Sequence, residues 1–350
     1  MKRTSDGILE KSILVDGNNL LHRVYHSFVA SRIKRGEPML CSPSGYPTGI
    51  LYGCLVLLSS WLYDIPDFSK ITVFFDGLPK RRRDIDKTYK AKREGGISLF
   101  NPEVKFPIKL SDGFETDGEV GVLVHILLLL GCDVCFHPDE EADDLIASFV
   151  KSKSDGVHVI ISDDKDFFQL LTNPKVVVYR PGSPPGNRFL DAEKSELHWS
   201  KLAGGGHPKV PSTHVRMFKS LCGDSSDEII GVDRLRKKVA ITLCHHQDVD
   251  SLFETDLPGF SDTERQKTFA LKDRIKLNHF LTGFFDQIDT SVCTQTGVVD
   301  RSTADRILRD DFGMTSVDLS SFFEYQGPVY TPPDGENASQ IPLDSWLSEI

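Results

Sequence analysis

Residues 157–166 read VHVIISDDKD, an apolar β-type run that ends in a cluster of acids. The same pattern occurs in ILVDGNN at Ile13–Asn19, and again where the run Ile71–Phe75 ends at Asp76 in VFFDG. Apolar runs of this kind (Ile13–Val15, Ile71–Phe75, Val157–Ile161) read as strands buried on both faces, the habit of a parallel sheet. In an open α/β sheet the carboxyl ends of the strands share one edge, and ligands bind there. Two more acidic clusters follow the same logic, EADD at Glu141–Asp144 and GDSSDEI at Gly223–Ile229. The candidate ligands are therefore Asp16, Asp76, Glu141, Asp143, Asp144, Asp164, Asp166, Asp224 and Asp227. Acids crowded at one edge raise one another's pKa unless a cation neutralises them. An all-oxygen donor set suits Mg²⁺ or Mn²⁺ rather than zinc. These residue types point to a metal-dependent enzyme.

A chain of 350 residues can bury a large core in one big domain or two unequal ones. Its 39% hydrophobic and 26% charged residues are ordinary for a soluble globular protein. The segment MKRTSDGILEK has no apolar core of a signal peptide, and the longest apolar run, near Val120–Leu130, is too short to span a bilayer. No membrane association is expected. Seven scattered cysteines suggest reduced thiols in a cytoplasmic setting. Cys132 and Cys135 form a CxxC, but no second pair completes a zinc site, so they read as small half-buried strand residues. The net charge of −10 argues against a nucleic-acid partner until its distribution is considered. The clustered acids account for nearly all of the excess, and bound divalent cations would offset part of it. Directly after Asp76, Lys80–Arg93 reads KRRRDIDKTYKAKR. Such a run is either a solvated helix face or a phosphate-tracking surface, and its place beside the acids favours the second.

Alternating elements predict a doubly wound, mainly parallel sheet over about 1–185: strands at 13–16, 71–75, 133–136, 157–161 and 176–179, with helices near 50–63, 117–130 and 141–151. From Ser212 onward the reading is helical, with Val215–Leu221, Leu235–Cys244 and Thr263–Thr282 as the best candidates. Residues 331–350 open with TPPDGENASQ, too polar and proline-rich to pack, and then carry the apolar cluster LDSWL. The DFG at Asp311–Gly313 has no glycine-rich loop or HRD behind it and is no kinase signal. Helix capping would explain Asp143 or Asp144, but not Glu141 as well. In ISDDKDF, the spacing of Asp164 and Asp166 puts both carboxylates on one side if strand geometry persists; the bland alternative is a surface turn. GDSSDEIIG lacks the length and terminal Glu of an EF-hand.

The order VDGNNLLHR, FDG with RRRDIDKTYKAKR, EADD, SDDKDFFQLL and GDSSDEIIGV resembles the 5′-to-3′ exonuclease and flap endonuclease family from residue 13 to about 240. Any one motif is weak, whereas five in register are specific. The chain looks more like the phage-encoded RNase H branch than the N-terminal domain of a DNA polymerase, since no polymerase region follows. The resemblance implies a PIN-like nuclease core with an arch over about 80–116, and a helical DNA-binding region at 186–330. That region would hold a helix-hairpin-helix-like segment at 212–244, with a flexible tail at 331–350. It implies that Asp16, Asp76, Glu141 and Asp143 serve a first Mg²⁺. Asp164, Asp166 and Asp224 would serve a second, with Asp143 between them, and Asp144 and Asp227 would act through water. Two metals about 4 Å apart would activate a water and stabilise the leaving oxygen.

By the same resemblance Lys90 and Arg93 sit at the base of the arch beside the scissile phosphate, with Arg82 and Arg83 steering the strand. Lys80, Arg81, Lys87 and Lys92 would track phosphate along the same run. One stretch departs from the family pattern. Asp233, Arg234, Leu235 and Arg236 replace the expected Pro-Gly-Ile-Gly hairpin, so a potassium site is not carried over. Arg234, Arg236, Lys237 and Lys238 would grip the duplex by side chain instead. The expected activity is a structure-sensitive 5′ nuclease that removes RNA primers and 5′ flaps, acting on DNA and RNA–DNA duplexes in the cytoplasm, or the host cytoplasm for a phage protein. The tail would dock a sliding clamp or single-strand-binding protein. The rivals are a PIN-type ribonuclease, which lacks the GDSSD segment, and an inactive DNA-binding relative, which would have lost ligands that are all present here.

Overall fold

Short apolar runs become strands here because both their faces are covered, and helices return the chain between them, those over Gly49–Tyr63 and Gly118–Leu129 being apolar nearly all round. The computed structural model describes residues 11–91, 107–195, 214–235, 240, 243–244, 249–253 and 261–323. In chain order these form β1 (Lys11–Asp16), α1 (Gly17–Val24), α2 (Gly49–Tyr63), β2 (Lys70–Phe75) and α3 (Lys80–Ile85). Next come β3 (Pro107–Lys109), β4 (Glu115–Asp117), α4 (Gly118–Leu129), β5 (Asp133–Phe136), α5 (Ala142–Ser152) and β6 (Val157–Ile161). They are followed by β7 (Val176–Tyr179), β8 (Phe189–Leu190), α6 (Val215–Cys222), β9 (Gly223–Asp224) and β10 (Ile229–Ile230). The last are α7 (Asp262–Ala270), α8 (Lys272–Leu281), β11 (Thr294–Gln295) and α9 (Arg301–Arg306). By compactness the chain divides into two units, each discontinuous in sequence. Unit 1 is Met1–Leu78, Ile97–Ile161 and Gln287–Ile350; unit 2 is Pro79–Gly96 and Ser162–Asp286.

Unit 1 is built on a sheet in the order β11-β5-β2-β1-β6. Its inner pairs are parallel, with Ile13 opposite both Ile71 and Val159, and Val73 opposite Val134. Ile13, Leu14, Val15, Val73 and Phe74 are wholly or almost wholly buried, as strands covered on both faces must be. Two glycines that follow strand-end acids let elements approach closely. A Cβ at Gly17 would lie 2.6 Å from the carbonyl oxygen of Phe74, and one at Gly77 would lie 2.0 Å from that of His137. The amino end of α2 is capped from another element: a Glu119 carboxylate oxygen accepts from the amides of Ile50 at 2.8 Å and Leu51 at 3.0 Å. Burial pushes the Glu119 carboxyl up, against the pull of those two amides.

The edge of this sheet corrects the helical reading of the chain beyond Ser212. Residues 294–295 form β11, antiparallel to β5, with Thr294 opposite Cys135. The strand is too short for periodicity to reveal, and main-chain bonds hold the segment. Gly297 donates to Asp133 at 3.0 Å and Asp300 to the Leu129 carbonyl at 2.8 Å. The CxxC pair is fully buried rather than half-buried. Cys135 Sγ lies 3.5 Å from Cys293 Sγ, and none of the seven cysteines forms a disulfide. No helix among the described residues is long and apolar enough to cross a membrane.

Unit 2 contains the antiparallel pair β7–β8 and a helical group around α6 and α8. The predicted helix over 263–282 is two helices, interrupted at Leu271. Ser261 and Glu264 form a reciprocal capping box at the start of α7. Asn278 of α8 is buried and donates to the carbonyls of Ser220 and Ile230, tying α8 to the helix and hairpin that carry the GDSSD segment. Most of the predicted helix Leu235–Cys244 lies outside the described residues.

Candidate metal centre

In unit 1 the acids are fixed by backbone geometry at the ends of parallel strands. Asp16 ends β1 and caps α1, its carboxylate accepting from Asn19 N–H at 2.9 Å. The Asn18 side-chain oxygen accepts from Asp76 N–H at 3.0 Å, and the Asp76 carboxylate in turn accepts from Ala142 N–H at 2.8 Å. This chain of bonds ties the carboxyl ends of β1 and β2 to the amino end of α5. The positive end of that helix dipole favours negative charge there. Glu141 is the cap residue of α5, with Asp143 and Asp144 in its first turn. Glu141, Asp143 and Asp144 each offer an oxygen within 4.8 Å of the others, although Glu141 and Asp144 are almost wholly buried. Buried carboxylates grouped this closely call for a compensating cation.

In unit 2 a second group forms from Asp166, Asp224 and Asp227, again with donor oxygens within 4.8 Å of one another. Strand geometry does not bring Asp164 and Asp166 together, which corrects the sequence expectation. β6 ends at Ile161, and Asp166 opens a 3-10 turn over Asp166–Thr172. The Asp164 carboxylate accepts from Asp166 N–H at 2.9 Å, so Asp164 shapes the turn that presents Asp166. Asp224 lies on the β9–β10 hairpin, paired with Ile229, and accepts from Ser226 N–H at 2.9 Å. Lys219 of α6 reaches into this group, its ammonium against the Asp166 carboxylate and 2.6 Å from Asp224 Oδ2. Burial and the neighbouring charge of Asp164 push the Asp166 carboxyl up to about 7, against the pull of Lys219. Burial alone would raise Asp224 too, but Lys219 and Ser226 hold it below the ordinary carboxylate range. Burial works against the Lys219 charge, yet Asp166 and Asp224 raise its pKa above the usual lysine value. Oxygen-only groups of this size fit a hard divalent cation.

Residues 11–199 match the family model described as the 5′-3′ exonuclease N-terminal resolvase-like domain. The chain belongs to that family. The 5′-3′ exonuclease of Aquifex aeolicus is 27% identical over 280 residues, which is 79% of this chain and 82% of that protein. The DNA polymerase I of Synechocystis is 28% identical over 249 residues, 69% of this chain; the match spans only 22% of the polymerase. The 5′-exonuclease of phage T5, solved with zinc bound, matches with a TM-score of 0.53 at 17% identity over 86% of this chain and 98% of that one. The T5 flap endonuclease in a pseudo-enzyme–product complex with DNA and metal ions matches at 0.52 and 16% identity over 90% and 100%. At such identities these structures establish the fold, a mainly parallel sheet with helices, as the motif order in this family implies.

The basic residues are less uniform than the run Lys80–Arg93 suggests. Lys80, Arg81 and Lys87 are exposed. Arg82 is buried at 3% and donates Nε to the Leu281 carbonyl at 3.0 Å and a terminal nitrogen to that of Gly283 at 2.8 Å. Its guanidinium also lies 4.6 Å from the Phe285 ring centroid. Arg82 thus anchors α3 to the end of α8, a use that the sequence run disguises. Arg83 is half-buried. The Lys90 ammonium lies 3.7 Å from Asp227 Oδ1, and its backbone donates to the Asp227 carbonyl at 3.3 Å, which places Lys90 at the second acidic group. Lys92, Arg93, Arg236, Lys237 and Lys238 lie outside the described residues, as does the tail at 331–350. Arg234 is exposed and left-handed, with φ of 53°. Sequence reading missed Lys219 and Asn18. The first has a signal in retrospect, a lysine five residues before Asp224 on a helix leading directly into the acid's strand.

Proposed function

We propose that this protein is a divalent-metal-dependent, structure-sensitive 5′ nuclease. It would remove RNA primers and 5′ flaps from DNA and RNA–DNA duplexes during replication or repair, in the manner of the phage RNase H branch. The observation that carries the reading is the pair of three-carboxylate groups, Glu141–Asp143–Asp144 and Asp166–Asp224–Asp227, in a chain of the 5′-3′ exonuclease family. Asp16, Asp76, Glu141, Asp143 and Asp144 would hold one Mg²⁺, and Asp164, Asp166, Asp224 and Asp227 would support the other, with Mn²⁺ as a substitute. Bound there, the cations would supply an activated water and charge stabilisation for the leaving oxygen. The chain's own contribution is positioning: the α5 amino end and the β9–β10 turn orient the carboxylates, and Lys90, with Arg93, would offset charge on the scissile phosphate. Lys80, Arg81, Lys87 and Lys92 would guide the 5′ strand, and Arg234, Arg236, Lys237 and Lys238 the duplex. The QIPLDSWL segment at 340–347 would tether the enzyme to a clamp or single-strand-binding protein.

Digestion of a 5′-labelled flap, a nicked duplex and an RNA–DNA hybrid, with and without Mg²⁺, tests this directly. Cleavage should require the metal. Asp143→Asn should lower the single-turnover rate on the order of a thousandfold with flap binding retained, because it removes a donor without touching the basic residues. Full activity of that variant with Mg²⁺ as the sole divalent ion would sink the assignment.

A further inference from the structure

Lys219 stands where a divalent cation would be expected in unit 2. Its side chain is only 13% exposed and its ammonium contacts both Asp166 Oδ1 and Asp224 Oδ2. The placement is fixed by the backbone, since α6 ends at Cys222 and β9 begins at the next residue with Gly223–Asp224. Asn278 clamps the same helix through the Ser220 carbonyl at 3.0 Å, so the lysine stem springs from a held turn. The other charged groups at this place are Asp164, which shapes the Asp166 turn, and Asp227 with Lys90 3.7 Å away.

We infer that Lys219 is a built-in cation of the second carboxylate group: it holds Asp166 and Asp224 in donor geometry while no divalent ion is bound, and competes with such an ion for the same oxygens. The inference rests on the metal-dependent reading above and adds to it the device that sets how tightly the second ion binds. The reasoning is geometric and electrostatic. Two carboxylates this buried repel each other strongly unless a positive charge lies between them. The ammonium meets that need, so the group persists without metal. A divalent ion that takes an oxygen from each of Asp166 and Asp224 must draw those oxygens from the ammonium. A lysine is suited to such an exchange, because its flexible stem lets the charge move aside while an arginine fork would resist. The expected consequence is a second site that is weak and fills only at high ion concentration.

Manganese titration of the full-length protein without nucleic acid, followed by the electron paramagnetic resonance signal of free Mn²⁺, reads this without reference to activity. Lys219→Met should tighten one Mn²⁺ site on the order of tenfold or more. It should also lower the melting temperature in chelator and give a larger recovery with Mn²⁺ than the wild type shows. Lys219→Arg should keep the wild-type affinity or weaken it. An unchanged affinity in Lys219→Met would overturn the inference and leave an ordinary structural ion pair. No Mn²⁺ binding by either the wild type or Lys219→Met would overturn the metal-dependent reading, and this inference with it. If Lys219→Met gives no folded protein, Lys219→Met combined with Asp224→Asn should fold, because repulsion leaves with the charge. Failure of that double variant to fold would count against a neutralising role.

Discussion

In unit 1, Asp16, Asp76 and the Glu141–Asp144 group are fixed by main-chain amides and by glycines that admit a close approach of strands and loops; in unit 2, Asp166 and Asp224 are gathered around a lysine ammonium. The first construction is set mainly by backbone bonds and close packing. The second depends on charge, and its balance changes with protonation and with added cations. The two carboxylate groups are therefore built in different ways, and the charge-built one is where a change of ion concentration would act.

The largest expected effect concerns the charge-built group. Asp166 has a folded, metal-free pKa of about 7 against an ordinary value of 3.8. Because the folded pKa is the higher one, this group's contribution to stability is complete below about pH 4 and is lost as pH rises through 7. Melting in chelator should show stability falling between those limits. Ca²⁺ should restore much of it at pH 8, and Asp166→Asn should reduce the pH dependence. A wild-type profile that is flat from pH 4 to 8 without metal would break the contrast between the two groups.

Gly77→Ala addresses the sterically built group. Its Cβ would collide with the His137 carbonyl, a backbone atom that cannot turn aside. A cost of about 3 kcal/mol is expected, insensitive to pH and to added Ca²⁺. A denaturation midpoint equal to that of the wild type would show that the approach of these loops is looser than it looks. The smallest effect belongs to Arg234, which holds φ of 53° beyond the β9–β10 hairpin. Replacing it with glycine should relieve about 1 kcal/mol of backbone strain while lowering the salt slope of duplex binding by about one. A stability gain with an unchanged slope would mean that the side chain makes no phosphate contact and only the backbone shape matters.

Sequence patterning reached the parallel strands, since Ile13–Val15, Ile71–Phe75 and Val157–Ile161 are short and mainly apolar, broken only by Thr72 and His158, as strands buried on both faces are. It also reached the acids, because a strand-end aspartate followed by glycine states both the charge and the close approach in adjacent letters. What it could not reach was set by distant partners. Arg82 looks like its basic neighbours until the carbonyls of Leu281 and Gly283 take its guanidinium. Thr294–Gln295 is too short to carry a period and becomes a strand only because β5 offers an open edge. Asp164 and Asp166 meet through a side-chain-capped turn, not a continuing strand, since the chain leaves the sheet at Ile161. Lys219 acquires its place among the acids only when α6 and the hairpin fold beside the Asp166 turn. Local apolar pattern and motif order are properties of neighbours in sequence. The partner of a buried charge is chosen by the tertiary fold, because the energy of burying it depends on which opposite charge or carbonyl the fold brings within reach.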